Sequence, residues 1–279
     1  MSHKVGISLA RFIGVRRDLI DDVLVCDLVD DPSRSAQAEP RVAEVTARRR
    51  RLWGTQASLA ALALGSLGAF LVASRAITSK HGNALDRSVI RGIGRARGPI
   101  SNVVARVVTF FGAATGASIV TVGALALTRR RPRVASQIAL GSLGGITAEL
   151  GLKRIFLRER PTVLAHLDEV HSTSFPSGHS MAAASLYLTL AFVASRGPRL
   201  SRLRGPLLAG GGGLAAMVGA SRVYLGVHWP TDVLGGLALG TAWASIIEAA
   251  FDLAGAERIE RGLTAKAASA TGASSGSAR

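Results

Sequence analysis

Residues 221–251 read SRVYLGVHWPTDVLGGLALGTAWASIIEAAF, a polar, titratable block running straight into about twenty apolar residues. A helix of some 20 apolar residues is what a bilayer core requires. Ionisable groups at the edge of such a span are costly, so Arg222, His228 and Asp232 point to function. Asp232 follows His228 by four residues, so one helical turn can bring the carboxylate against the imidazole. A carboxylate so placed fixes the tautomer and leaves the other ring nitrogen free to attack. The same spacing also suits a His–Asp pair that ties down the helix start, with Pro230 as a first-turn proline.

Working outward, apolar stretches of similar length recur at about 53–74, 102–127, 134–156, 178–195, 205–224 and 230–251. Gly141, Gly144, Gly145, Gly210 to Gly213, Gly235, Gly236 and Gly240 fall within them. Small residues let membrane helices pack closely. The expected fold is therefore all-α, an integral membrane bundle of about six transmembrane helices. Arg106 and Glu149 interrupt the apolar pattern.

Composition agrees. Hydrophobic residues make up 48% of the 279, and charged residues only 19%, against about 25% in soluble domains. The net charge of +16 would suit a nucleic-acid binder. Such a protein would line one face with its cations, whereas here they cluster between apolar runs, and the 5% aromatics offer few stacking platforms. No nucleic-acid partner is expected. The single cysteine, Cys26, can make no internal disulfide, and the N-terminus shows no cleaved signal peptide.

Three basic clusters set the orientation. They are Arg48 to Arg51, then Arg129, Arg130, Arg131 and Arg133, then Arg196, Arg199, Arg202 and Arg204. With six spans all three fall on one side, which the positive-inside rule makes cytoplasmic. Both termini are then inside, in a cytoplasmic or plasma membrane. The segment Arg75 to Arg97 opposes this with five outer-side cations, Lys80, Arg87, Arg91, Arg95 and Arg97, beyond Arg75. Leu85, Val89, Ile90 and Ile93 recur there at helical spacing, as in an interfacial helix. Three segments are expected: 1–50, with an amphipathic Lys4–Val25 and a linker over Asp31–Val45; a membrane-embedded 51–253; and a disordered tail, 254–279.

Two further blocks land on the outer side. Residues 153–161 read KRIFLRERP and residues 176–179 read PSGH. Lys153 and Arg160 are seven residues apart, two helical turns, so they can share a helix side. They offer a point charge and a planar fork to phosphate oxygens. Pro161 would end that helix and open a loop, Thr162–Phe175. Ser177 can cap the next helix, Gly178 lets backbone approach a ligand, and free amides at a helix start bind anions. His179 would sit beside that anion. In the intervening loop His166, Asp168, Glu169 and His171 could touch substrate, though as loop residues they read first as solvated.

In order and spacing the three blocks resemble the signature of the type-2 phosphatidic acid phosphatase superfamily, over roughly residues 53–251. That signature is Lys, six residues, Arg-Pro; Pro-Ser-Gly-His; and Ser-Arg, five residues, His, three residues, Asp. Lys153, Arg160, Pro161, Pro176 to His179, Ser221, Arg222, His228 and Asp232 match it. The resemblance implies a metal-independent lipid phosphatase with no cofactor and an acid phosphatase/haloperoxidase-like core. By position, His228 resembles the nucleophile, Asp232 its orienting partner and His179 the general acid. Lys153, Arg160, Ser177, Gly178 and Arg222 resemble the phosphate cradle. The substrate would be a polyprenyl pyrophosphate, phosphatidic acid or phosphatidylglycerol phosphate, met at the extracytoplasmic face. Two alternatives are a vanadate-dependent haloperoxidase and a lipid or anion transporter that reuses the fold. Oligomeric state is not legible in the sequence.

Overall fold

The computed structural model describes residues 32–77, 82–170, 172–197 and 199–275, with side chains from Trp53 onward except at positions 146, 259, 260 and 262–275. The helices are α1 (Pro32–Ala76), α2 (Ala84–Gly94), α3 (Pro99–Phe110), α4 (Ala114–Thr128), α5 (Pro132–Lys153), α6 (Gly178–Ser195), α7 (Arg204–Tyr224) and α8 (Pro230–Ser275), with a 3₁₀ turn at Ser201–Leu203. No strand occurs among the described residues. The chain divides into two compact units, residues 1–56 and 57–279. Everything that bears on the site lies in the second.

Local sequence explains the helix starts. Proline opens α3, α5 and α8, where its missing N–H costs nothing and its φ is already helical. A reciprocal capping box starts α2: Asn83 Oδ1 accepts from Asp86 N at 2.8 Å, and Asp86 Oδ2 from Asn83 N at 3.3 Å.

All six apolar stretches are helical. Trp53–Ala76 and Pro230–Arg258 are each long and apolar enough to cross a membrane. The stretch at 102–127 is two helices, α3 and α4, bent by 47° at the short break after Phe110. Helices α5, α6 and α7 fall short of that standard because they are brief, glycine-diluted or charged at their ends. These three carry Lys153, Gly178, His179, Ser221 and Arg222 at their ends.

Helix α6 is the core, packed against α8, α7 and α5. Most of its residues are buried, including Met181, Ala183, Ala184, Leu186 and Phe192. Small residues make this possible: a Cβ on Gly240 of α8 would run into Met181 O of α6, and one on Gly236 into Ser177 O just before it. Large apolar side chains instead point outward on α1, α3 and α4, among them Leu64, Leu71, Val72, Val104, Val107 and Val122. Such a surface suits lipid rather than water.

The two ends of the bundle differ. At the end with the basic loops, Arg196 binds Gln137, Glu248 at 2.9 Å and Asp252 at 2.7 Å. At the other end lie the close of α5 and α7 and the start of α6 and α8.

Three expectations change. Residues 32–45, read as a linker, are helical, and so are residues 254–275, read as a disordered tail. Alanine, glutamate and arginine are among the best helix formers, and these segments are rich in them. Segment 84–94 is amphipathic as its spacing predicts, but its inward face is part of the protein. Ile90 is fully buried against Val223, Trp229 and Val233. The Lys4–Val25 segment and Cys26 lie outside the described residues.

Candidate active site

The close of α5 and α7 and the start of α6 and α8 bring the three blocks to one end. After α7, Leu225 begins a turn in which Gly226 has φ +79°, a left-handed conformation that glycine adopts without strain. Val227 N then donates to Arg222 O at 3.2 Å. The turn presents His228 just before Pro230 restarts helix. Asp232 sits in the first turn of α8 and accepts from Trp229 N at 2.9 Å.

His228 is 2% exposed and is flanked on two sides. Its Nε2 lies 3.3 Å from Arg160 Nη1. Its Nδ1 lies 3.5 Å from Asp232 Oδ2, long for a hydrogen bond, and makes no other among the described residues. Burial pushes the imidazole down from 6.5 to about 4; Asp232 opposes this, and Arg160 and Arg222 add to it. The ring is therefore neutral at pH 7, with one nitrogen unprotonated.

Asp232 is held by more than His228. Its two oxygens also accept from Arg158 Nη1 and Ser174 Oγ. Arg158 is 4% exposed and spans two carboxylates, Asp232 with one nitrogen and Asp86 with the other at 2.7 Å. It also donates to Thr231 Oγ1 at 2.7 Å and lies 5.5 Å over the Trp229 ring. Asp86, fully buried, accepts from Thr231 N at 3.0 Å as well. Sequence reasoning missed Arg158, Asp86 and Ser174. Arg158 stands two residues before Arg160 in the same block, which was a usable signal. For Asp86, 146 residues from Asp232, there was none.

The cradle cations all have acceptors. Lys153 pairs with Glu149 at 2.6 Å and donates to Ser172 Oγ at 3.0 Å. Arg160 donates to Ser172 O at 2.7 Å, Val227 O at 2.6 Å and Ser172 Oγ at 3.3 Å. Arg222, 2% exposed, pairs with Asp168 at 2.6 Å and donates to Thr109 Oγ1 at 3.0 Å. Burial lowers Arg160 to about 10, with Arg222 contributing. That still leaves it a cation at neutral pH. Burial draws the Asp168 carboxyl up, but the bond and charge of Arg222 outweigh it and hold the group below its usual range.

Several readings of single residues are corrected. Lys153 and Arg160 do not share a helix side, because α5 ends at Lys153. They meet through Ser172, which both contact. Ser177 makes no side-chain cap. Its hydroxyl accepts from Ser180 Oγ at 2.9 Å instead. Asp168 is no solvated bystander, since it holds Arg222. His166 is fastened to Pro161 O at 2.7 Å. His171 lies outside the described residues. His179 is half-buried at the second position of α6, within electrostatic reach of Arg222, His228, Asp168 and Lys153. All eight anticipated residues thus gather at one end. Arg106 is exposed there, reaching Leu167 O at 3.4 Å, and Glu149 faces the site.

The sequence model of the PAP2 superfamily matches residues 134–253, which hold every motif residue. The crystal structure of the first transmembrane PAP2 type phosphatidylglycerolphosphate phosphatase from Bacillus subtilis is similar over 67% of this chain and 94% of its own, at 31% identity and TM-score 0.62. The chain belongs to the PAP2 superfamily. Among curated relatives, phosphatidylglycerophosphatase B of Bacillus subtilis (strain 168) is 49% identical over 90 residues, 32% of this chain and 44% of that protein. Decaprenylphosphoryl-5-phosphoribose phosphatase of Mycobacterium tuberculosis (strain ATCC 25618 / H37Rv) is 30% identical over 129 residues, 45% and 66% of the two lengths. The chain thus spans about half to two thirds of these two curated relatives. With its helices and these likenesses, this PAP2 protein is an integral membrane protein.

Proposed function

We propose that the protein is a membrane lipid phosphatase that works through a phosphohistidine at His228, with residues 51–253 as its phosphatase domain. The observation that carries this is the neutral His228 ring, set between Arg160 on its Nε2 side and the Asp232 carboxylate on its Nδ1 side. A lipid phosphate or pyrophosphate would lie among Lys153, Arg160, Arg222 and the first amides of α6. Three fixed cations offset the charge of such a group and of its transition state without a metal.

Nε2 of His228 attacks phosphorus, and the bond to the lipid oxygen breaks. Arg160 lies on the attacking side, and Asp232 stabilises the ring as it becomes cationic. Burial first, then Arg222 and His228, hold the free His179 ring neutral; bound phosphate favours its protonated form, and that ring gives its proton to the leaving oxygen. Water then attacks the phosphohistidine, His179 takes that water's proton, and inorganic phosphate leaves. The bundle end opposite the basic loops is the extracytoplasmic one by the positive-inside rule. A headgroup can reach it while its tails stay in the bilayer, and both termini are cytoplasmic. The relatives named above are lipid phosphatases, which supports a lipid phosphate as the substrate class.

The test is phosphate release in detergent from a panel of phosphatidic acid, phosphatidylglycerol phosphate and prenyl pyrophosphates, for the wild type and His228→Ala. Loss of at least about a thousandfold is expected for the variant. Full activity in the variant removes His228 as nucleophile, and no release from any lipid removes the phosphatase reading.

A further inference from the structure

The space that glycine leaves at position 178 is already taken. A Cβ added there would run into the carboxylate of Glu149, which comes from the last turn but one of α5. That carboxylate therefore lies against the first residue of α6, a helix start with no side-chain cap. Uncapped amides and the positive end of the helix dipole attract anions. The same carboxylate grips Lys153, and both side chains are 16% exposed. Glu149 thus meets two of the parts expected to hold a phosphate, the backbone at Gly178 and the ammonium of Lys153.

We propose that Glu149 is an internal occupant of the phosphate cradle, displaced by the phosphate of the substrate and returning when inorganic phosphate leaves. This rests on the phosphatase reading above and deepens it. The geometry supplies the competition: one anion in contact with Gly178 excludes a second, and a lysine with a carboxylate at 2.6 Å is charge-satisfied. The exchange is near-balanced in charge–charge contacts, so phosphate binds without leaving Lys153 unpaired at any stage. It also keeps the product from being held too tightly, because the side chain that replaces it is tethered four residues from Lys153. Arg222 is similarly engaged by Asp168, but that carboxylate is 41% exposed, and its influence on α6 is electrostatic, toward His179 rather than against Gly178.

The test compares wild type, Glu149→Gln and Glu149→Asp in detergent, with inorganic phosphate and orthovanadate as probes in calorimetric titrations. Glutamine keeps the size of the side chain and removes its charge. Phosphate is expected to bind Glu149→Gln about tenfold more tightly, the worth of one charge-assisted contact. Its inhibition constant against lipid hydrolysis falls in parallel. Aspartate, too short to keep the contact at Gly178, is expected to lie between the two, and it carries the test if glutamine does not fold. If Glu149 only steadies Lys153, its loss would weaken phosphate binding, so the sign decides. Equal or weaker binding in both variants overturns the proposal while leaving the phosphatase intact. A wild type that binds neither probe and releases no phosphate brings down the functional reading and this inference with it.

Discussion

Arg158 is the residue whose removal tests the site most directly, because it touches no cradle cation and no surface. Its guanidinium joins Asp86 to Asp232 with both ion pairs almost fully buried. Arg158→Met keeps the apolar bulk over Trp229 and leaves two buried carboxylates with no cation between them. Removing one partner of a buried pair costs about 3–5 kcal/mol, or roughly 6–20 °C in midpoint for a domain of this size. Asp232 keeps Ser174 Oγ and Trp229 N, so it stays near His228 but loses its firmest anchor. A displacement of about 1 Å at a reacting group can cost about a hundredfold. The expectation is kcat down about a hundredfold with KM within about threefold, read by phosphate release in detergent, with unfolding followed by circular dichroism. Adding Asp86→Asn should restore part of the stability, since it lowers the buried negative charge, but not kcat, since Asp232 still lacks its donor. Wild-type kcat in Arg158→Met, or joint recovery of kcat in the double variant, would refute the reasoning.

Other expectations follow from the same geometry. His228 should titrate near 4 by NMR of labelled imidazole, so kcat/KM in the free enzyme falls as pH drops through that value. The sign for stability is the same: a histidine depressed on folding contributes fully above about 6.5 and loses that contribution as pH falls toward 4. A midpoint between 6 and 7 would contradict the burial argument. Asp232→Asn removes the influence that raises His228, so the midpoint should move lower while kcat collapses. Ser172→Ala cuts the link between Lys153 and Arg160. KM should rise roughly three- to tenfold with kcat little changed, and an unchanged KM would show that the two cations hold their places without it. Gly240→Leu forces α8 off α6, where a Cβ already collides with Met181 O. A loss of several kcal/mol, on the order of 3, is expected by thermal unfolding.

Much of this was legible because the relevant signals are local. Apolar length gave the helices, proline gave three of their starts, and the spacing of His228 and Asp232 on one turn gave their juxtaposition. The break between α3 and α4 was not legible, since residues 111–113 read FGA inside an apolar run and nothing in that composition forbids helix. Nor could spacing show that Lys153 ends its helix, because Arg154 to Leu157 remain compatible with one. The harder misses were pairings across long separations. Asp86 and Arg158 lie 72 residues apart, and Asp86 sat in a segment whose basic residues drew the reading toward a membrane surface. Glu149 reads in the sequence only as a break in an apolar pattern, since spacing does not tell which way a helix turns its one acid.

Asp86 also bears on how this protein could be cut or recombined. The stretch that matches the superfamily begins at residue 134, yet the acid that anchors Arg158 lies far upstream on α2. A fragment trimmed to the matched stretch would keep every signature position and bury a guanidinium missing half its counter-charge. A chimera grafted at that boundary would import the same defect unless its donor brought an acid to the same spot. For this chain, the smallest heritable catalytic module is longer than its motifs.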